Sequence, residues 1–227
     1  MTFLPKIISC LSLIVLFGCS SDDPGGREQI SNDKASKSKD KSKRSESNGH
    51  RKLHVYLYHT ATVSEGDLRL IDDMLRRYYD AEVVRKGVLQ IPSEYISPRS
   101  GKMQSDSILR YMDRMLVDKP GKRLLITDRV ISTKRNLNGR IFPDWTIMGY
   151  GQVGGRNCVV STATLKTKRS ERLTKVVLHE MGHTLGADHC NKSDTCLMLD
   201  LKGVGSAIDK SSFYMCAECK RRAVKIN

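Results

Sequence analysis

The sequence predicts an α/β fold in which helices pack on a sheet. Apolar patterning begins only at Leu53, and strand-like and helix-like segments then alternate in the order strand, helix, strand, helix, strand. Consecutive elements of this kind usually lie next to each other in one layered domain. We therefore expect a folded domain over residues 53–227.

Local signals identify the first elements of this domain. Leu53 to His59 alternates apolar and polar residues, which predicts a strand. Ser64 is a favourable N-cap for a helix over Glu65 to Tyr79, where apolar residues recur at helical spacing. Ala81 to Ile91 predicts one strand, or two short strands broken near Gly87.

The central and later segments follow the same alternation. Ser105 to Val117 predicts an amphipathic helix, and Lys122 to Asp128 predicts a compact apolar strand. The glycine-rich segment 139–155 gives no clear assignment. Asn157 to Thr162 predicts a short strand, and Ser170 to Leu185 predicts a helix.

The first eighteen residues have the composition of an export signal. Lys6 precedes an apolar run that is too short to span a bilayer comfortably. The sequence Leu-Phe-Gly-Cys ending at Cys19 resembles a bacterial lipobox, in which cleavage precedes a cysteine that receives lipid. We expect residues 1–18 to be a lipoprotein signal peptide and Cys19 to anchor an exported protein to a bacterial membrane, on its periplasmic side or at the cell surface. An ordinary signal peptide and an uncleaved anchor are the alternatives.

Residues 19–52 lack the apolar surface that a folded core needs. From residue 20 to residue 52 there is no Phe, Tyr or Trp, and Ser, Lys, Asp, Asn and Gly dominate. Such a segment cannot offset the entropy cost of ordering. We expect it to be a disordered polar tether.

The net charge of +14 could attract nucleic acid, anionic lipid or acidic peptides. The sequence shows neither an interleaved aromatic-basic pattern nor a nucleic-acid-binding motif. We therefore expect no nucleic-acid partner and interpret the basic residues as a charged, solvent-facing surface.

The predicted helix ending near Leu185 carries a candidate metal site. His179 and His183 are four residues apart, which places both imidazoles on one helix face, about 6 Å apart along the axis. Gly186 can adopt the left-handed conformation that ends a helix, which would let His189 reach the same metal. Three nitrogen ligands leave a fourth position open, as in catalytic zinc sites.

Glu180 follows the first histidine directly. A carboxylate in this position could take a proton from the zinc-bound water and pass it to the leaving amine, so we expect Glu180 to be general base and then acid. A single histidine on a helix is more often a core or surface residue, but the combined spacing disfavours that explanation.

Four cysteines after His189 form a second candidate metal site: Cys190, Cys196, Cys216 and Cys219. Four thiolates can close a tetrahedral zinc site, and the last two cysteines have the spacing of a zinc knuckle. Disulfide formation is the alternative, because exported thiols meet oxidants. Cys158, in a predicted strand, is expected to be a buried free thiol.

The pattern His-Glu-x₂-His-x₂-Gly-x₂-His-Cys-x₅-Cys-x-Met-x₁₇-Cys-x₂-Cys resembles the archaemetzincin family, a branch of the metzincin metallopeptidases. The resemblance implies a mixed twisted sheet with packed helices and an active-site helix. It also implies two zinc ions per chain, one catalytic and one in a compact cysteine subsite near the C-terminus. Met198 would form the apolar Met-turn beneath the catalytic metal. One departure is the loop from Asn191 to Thr195, which has five residues where the family pattern has four.

The resemblance implies peptide-bond hydrolysis by Glu180-assisted attack of a zinc-bound water, with peptide or protein substrates. We also expect the chain to be a monomer. The substrate would lie extended along a sheet edge, for which Ile147 to Gly154 is the candidate, with Tyr150 near the cleft. Trp145 is expected to be a core anchor. The alternatives are a surface-tethered zinc- or peptide-binding module with little turnover, and a basic nucleic-acid-binding protein with a cysteine zinc knuckle.

Overall fold

Helices and strands alternate along the chain in a computed structural model that describes residues 52–117, 120–200 and 205–224. All of these residues belong to the unit Asn48–Asn227. The elements in chain order are β1 (His54–His59), α1 (Glu65–Tyr79), β2 (Glu82–Val88), a short 3₁₀ helix (Ser93–Tyr95), β3 (Met103–Gln104), α2 (Ser105–Met115), β4 (Lys122–Thr127), β5 (Ile131–Leu137), β6 (Arg140–Ile147), β7 (Gly149–Gly151), β8 (Asn157–Ser161), α3 (Arg169–Thr184), α4 (Gly205–Lys210) and α5 (Ala217–Val224).

The main sheet has five strands in the order β2-β1-β4-β8-β7. Its first four strands are parallel, and β7 runs antiparallel to β8 at one edge. A second sheet has the order β3-β5-β6. The predicted α/β class with a mixed sheet and packed helices is therefore confirmed.

The main sheet is a layer between helices on both faces. Leu124 and Ile126 of β4 are buried in one apolar cluster with residues of α1 and α3. Leu125, between them, is buried in a second cluster with residues of α2. Adjacent strand residues point to opposite faces, so α1 and α3 cover one face and α2 covers the other.

Helix α1 begins and ends at the predicted residues. The backbone N–H of Asp67 donates to the Ser64 side chain over 3.1 Å, which is the expected N-cap bond. The apolar face of the helix, including Leu68, Ile71 and Leu75, is buried against the core. Local capping and helical periodicity therefore agree in this element.

The irregularity predicted near Gly87 lies inside β2. Gly87 has φ 84°, a left-handed conformation, and the pairing register between β1 and β2 shifts between Leu57 and Tyr58. Glycine adopts positive φ without the penalty of a Cβ, so the strand continues to Val88 past the bulge.

The hairpin of β5 and β6 was not predicted from the sequence. It turns through Asn138 and Gly139, whose φ values are 51° and 80°. An Asn-Gly pair is a strong signal for a two-residue hairpin turn. The charged residues of β5 and Pro143 in β6 obscure the strand pattern on either side of that turn.

The expected signal peptide (1–18), the lipidation site Cys19 and nearly all of the tether (19–52) lie outside the described residues. Within the three described stretches, no helix combines the length and apolar character needed to cross a bilayer.

Candidate metal centres and active site

Helix α3 supplies most of the candidate site and is buried over its last three turns, from Leu173 to Thr184. The chain then leaves the helix at Gly186, which has φ 97° as the sequence predicted. The N–H of Gly186 donates to the His183 carbonyl (2.8 Å), and the N–H of Ala187 donates to the Gly182 carbonyl (3.0 Å). These bonds satisfy helix-end carbonyls and turn the chain back towards the helix.

The three predicted histidines come together at this helix end. One ring nitrogen from each of His179, His183 and His189 lies within 4.8 Å of the others. His179 and His183 are buried, whereas His189 is exposed. The His189 ring centroid is 5.4 Å from that of His179 and 4.8 Å from that of His183.

Backbone carbonyls orient two of the imidazoles. His179 Nδ1 lies 2.8 Å from the Leu197 carbonyl oxygen, and His183 Nδ1 lies 2.7 Å from that of Ala187. A carbonyl oxygen can only accept, so each Nδ1 carries the proton and each Nε2 presents a lone pair. Burial lowers the pKa of His179 to about 3 and that of His183 to about 4, so both rings are neutral at pH 7.

The geometry of these nitrogens fits a zinc ion. The Nε2 atoms of His179 and His183 are 3.1 Å apart, and neither has a proton to donate to the other. Two lone pairs at this distance repel unless a cation lies between them. Zinc–nitrogen bonds of 2.0–2.1 Å in a tetrahedral site would separate two ligand atoms by roughly 3.3 Å. The donor set is therefore suited to zinc.

Glu180 is buried against the edge strand β7, where two glycines make room for it. A Cβ on Gly149 would lie 2.6 Å from Glu180 Oε1, and a Cβ on Gly151 would lie 2.5 Å from the Glu180 carbonyl oxygen. Burial raises the pKa of the Glu180 carboxyl to about 8, and a hydrogen bond from the Gly151 backbone acts in the opposite direction. The role of these glycines was missed, although their alternate positions place them on one face of a strand.

The four predicted cysteines also come together. One sulfur from each of Cys190, Cys196, Cys216 and Cys219 lies within 4.8 Å of the others, and all four are free thiols. The Sγ atoms of Cys190 and Cys216 are 3.7 Å apart. Zinc–sulfur bonds of about 2.3 Å in a tetrahedron would separate two sulfurs by roughly 3.8 Å. The geometry therefore fits a thiolate metal site, and the disulfide alternative is not formed.

The longer loop after Cys190 does not disturb this cluster. The N–H of Cys190 donates to the Met198 carbonyl over 2.7 Å, which fixes the two ends of the loop. The N–H of Cys216 donates to Cys196 Sγ over 3.3 Å. Cys158 is completely buried and free, as predicted.

The segment from Cys196 to Met198 links the two candidate metal sites. Cys196 belongs to the thiol cluster, and the carbonyl of the next residue, Leu197, accepts from the His179 ring. Met198 is fully buried, and its sulfur lies 2.5 Å from where a Cβ on Gly182 would be. Met198 therefore packs against α3 between His179 and His183, and a side chain at Gly182 would displace it. The sequence predicted the packing role of Met198 but missed the Leu197 contact.

A cavity of about 350 Å³ opens over the histidines and Glu180. Tyr150 of β7 lies in its wall, as expected. Burial, the largest cause, and Asp106 raise the pKa of the Tyr150 phenol to about 12, so this side chain is a neutral hydrogen-bonding group. Trp145 also lines this cavity, so its interpretation as a core anchor was wrong: it lies on the β5–β6 hairpin, which the sequence did not reveal.

Similarity to known proteins agrees with a metal-dependent peptidase site. The sequence model of peptidase family M54 matches residues 155–225. Archaemetzincin from Haloarcula marismortui is 26% identical over 185 residues, which cover 76% of this chain and 100% of that protein. Archaemetzincin from Archaeoglobus fulgidus is 35% identical over 77 residues, which cover 32% of this chain and 46% of that protein.

The fold is similar to a solved structure of archaemetzincin. The crystal structure from Archaeoglobus fulgidus, complexed with malonate, has a TM-score of 0.61 and 23% identity, and the match covers 75% of this chain and 99% of that one. The chain is therefore similar to archaemetzincins in sequence and in fold. The match to peptidase family M54 and the similarity to the archaemetzincin sequences support a hydrolase of the zinc metallopeptidase class.

Proposed function

We propose that the chain hydrolyses peptide bonds at the cavity over His179, His183 and His189, with Glu180 as the proton-transfer group. The observation that carries this proposal is the convergence of two neutral, carbonyl-oriented imidazoles and a third, exposed one beside a buried carboxylate. Three nitrogen ligands with room for a further ligand are typical of catalytic rather than structural zinc sites.

The three histidines would hold the catalytic metal, each through one ring nitrogen. A zinc ion there supplies Lewis-acid chemistry, polarising a peptide carbonyl and making water nucleophilic near neutral pH. The carbonyls of Leu197 and Ala187 hold the rings of His179 and His183 in the ligating tautomer. The chain thus preorganises two of its three ligands.

Glu180 would accept a proton from the attacking water and deliver it to the amine of the departing peptide fragment. Its carboxyl is held between α3 and the glycines of β7, which fixes its position next to His179. A carboxyl with a pKa near the working pH can act in both directions, as base and then as acid.

A substrate peptide would lie along β7. This strand is the edge of the main sheet, and it pairs with β8 on its other side. An extended peptide can add to such an edge through main-chain hydrogen bonds. Gly149 and Gly151 let Glu180 pack directly against β7, and Tyr150 forms part of the cavity wall.

The four cysteines would hold a second, structural zinc ion. Thiolate ligands close all four positions of a tetrahedral site, which leaves no room for substrate chemistry. Its contribution would be to hold the four cysteines together and with them the neighbouring Leu197 carbonyl that orients His179. Two zinc ions per chain are therefore expected.

The decisive experiment is cleavage of a broad peptide library by the wild-type chain and the Glu180→Gln variant, with bound zinc measured in both. We expect cleavage by wild type and a loss of roughly hundredfold or more in the variant, in the range of lost general acid–base catalysis. Glu94→Gln is the matched control, because Glu94 is exposed. If zinc-loaded wild type cuts nothing, the chain is better described as a zinc- or peptide-binding module.

We also propose that the chain is exported and lipid-anchored through Cys19, from its lipobox-like sequence. Several acyl chains would hold the protein at a membrane much more strongly than one. Metabolic labelling with a fatty acid should mark wild type and a Cys10→Ser control but not Cys19→Ser. Labelling of Cys19→Ser, or a wild type that carries no label, would contradict this anchor.

A further inference from the structure

Among the residues that the structure describes, Arg135 is the only lysine or arginine that lines the catalytic cavity. It lies on β5 and is half-buried, so its charge is shielded from water on one side. The other ionisable side chains of the cavity are the histidines, Tyr150 and the carboxylates Glu180, Asp188 and Asp200. A charge in this position acts directly on whatever enters the cavity.

The guanidinium of Arg135 is held by an aromatic ring. It stacks over Trp145 at 5.0 Å from the ring centroid, and within the described residues it has no ion-pair or side-chain hydrogen-bond partner. Stacking uses the flat face of a guanidinium and leaves its in-plane N–H donors available. The structure therefore presents an oriented cation whose donors are unused.

The carboxylates of the cavity do not neutralise Arg135. The charges of Asp188 and Asp200 act on His183, which places them on the metal side. Glu180 is buried against the glycines of β7. The exposed hairpin residues near Arg135, Lys134 and Arg140, are themselves positively charged and cannot neutralise it. Within the described residues, Arg135 is therefore a cavity cation without a paired carboxylate.

We propose that Arg135 binds a carboxylate of the substrate peptide and so sets the preference of the peptidase proposed above, on which this inference rests. The carboxylate is that of an acidic side chain or of the free C-terminus of the peptide. A guanidinium pairs with either through two parallel N–H donors. The net charge of +14 favours the approach of acidic peptides.

Trp145 is the single tryptophan of the chain and contacts Arg135, so its fluorescence can report binding next to Arg135. The Glu180→Gln substitution prevents turnover during the measurement. The zinc-loaded full chain with Glu180→Gln is titrated with peptides that differ only in Glu or Gln at one position, each with a free or amidated C-terminus. Tryptophan fluorescence and calorimetry report binding. We expect the carboxylate form to bind roughly tenfold to hundredfold more tightly. Sensitivity to Glu identifies a side-chain source, and sensitivity to amidation identifies the C-terminus.

Arg135→Gln should abolish this preference and leave binding of the neutral peptides within about twofold. Arg140→Gln is the matched control, since Arg140 lies on the same hairpin and stacks on Phe142 at 5.1 Å but does not line the cavity. The control should keep the full preference. Arg135→Glu should reverse it in favour of peptides with Lys at the sensitive position.

Three results would overturn the inference: no peptide binding, equal binding of carboxylate and neutral peptides, or a preference that persists in a folded Arg135→Gln variant. Failure of the proposed function looks different. In that case the Glu180→Gln background binds carboxylate peptides with the expected preference, but zinc-loaded wild type does not hydrolyse the same peptides.

Discussion

At the scale of single residues, the site depends on small groups as much as on its metal ligands. Gly149 and Gly151 allow Glu180 to lie against β7, and Gly182 leaves space for the sulfur of Met198. The carbonyl of Leu197 orients His179. These contacts position the side chains that the sequence motif names.

Gly149→Ala tests the contact between β7 and Glu180. The added Cβ would lie within 2.8 Å of three atoms of the Glu180 side chain, so the carboxyl must move. We expect peptide cleavage to fall and the free energy of unfolding to drop by about 1–3 kcal/mol. Gly66→Ala is the control, because the nearest atom to its Cβ is 3.9 Å away. Peptidase assays and chemical denaturation measure both effects, and equal behaviour of the two variants would show that the contact is unimportant.

Much of the candidate site could be predicted from the sequence at this scale because metal ligands have fixed chemistry and fixed spacing. Local helix geometry predicts that His179 and His183 share one helix face, and ligand type and spacing predict the cysteine cluster. The positions of Arg135 and Trp145 in the cavity could not be predicted, because both residues lie on the β5–β6 hairpin, whose strand pattern the charged residues obscure. No local pattern states which residues face a cavity.

At the scale of elements, local signals predicted those helices and strands whose ends are marked by caps or glycines. Helix α1 is defined by Ser64 and by helical periodicity, and α3 ends at the left-handed Gly186. The β5–β6 hairpin was missed because charged residues on β5 break the alternation expected of a half-buried strand. The Asn138-Gly139 turn was the available signal.

Ser64→Ala tests how much the predicted cap contributes to α1. The substitution removes the acceptor for the Asp67 N–H, and we expect it to lower the free energy of unfolding by about 1 kcal/mol. Ser93→Ala, at an exposed serine of the 3₁₀ helix, should have a smaller effect. Urea denaturation of both variants measures the difference, and an unchanged midpoint for Ser64→Ala would mean that tertiary packing alone defines the helix start.

At the scale of the whole molecule, the two candidate metal sites are physically joined in two places. His189 and Cys190 are consecutive, and Leu197 lies between a thiol ligand and the ring it orients. Ordering one site should therefore help to order the other. Metal binding and folding are usually coupled when ligands are held by loops in this way.

Cys216→Ser should lower zinc occupancy at both sites. Loss of one thiolate weakens the cysteine site, which frees the segment that carries His189 and Leu197. We expect bound zinc to fall from two ions per chain to below one, together with peptide cleavage. Cys158→Ser is the control, since Cys158 is buried but belongs to neither site. This variant should retain two zinc ions per chain. Elemental analysis measures the content; if Cys216→Ser keeps one full equivalent and wild-type activity, the sites are independent.

The central claim is that the three imidazoles together bind one zinc ion and the four thiols together bind a second. Anomalous diffraction from crystals of purified protein, recorded at the zinc absorption edge, tests it most directly. We predict two peaks per chain, one about 2.0–2.1 Å from a ring nitrogen of His179, His183 and His189, and one about 2.3 Å from the four cysteine sulfurs. A histidine cluster without a zinc peak, or with His189 directed away from the metal, would contradict the account.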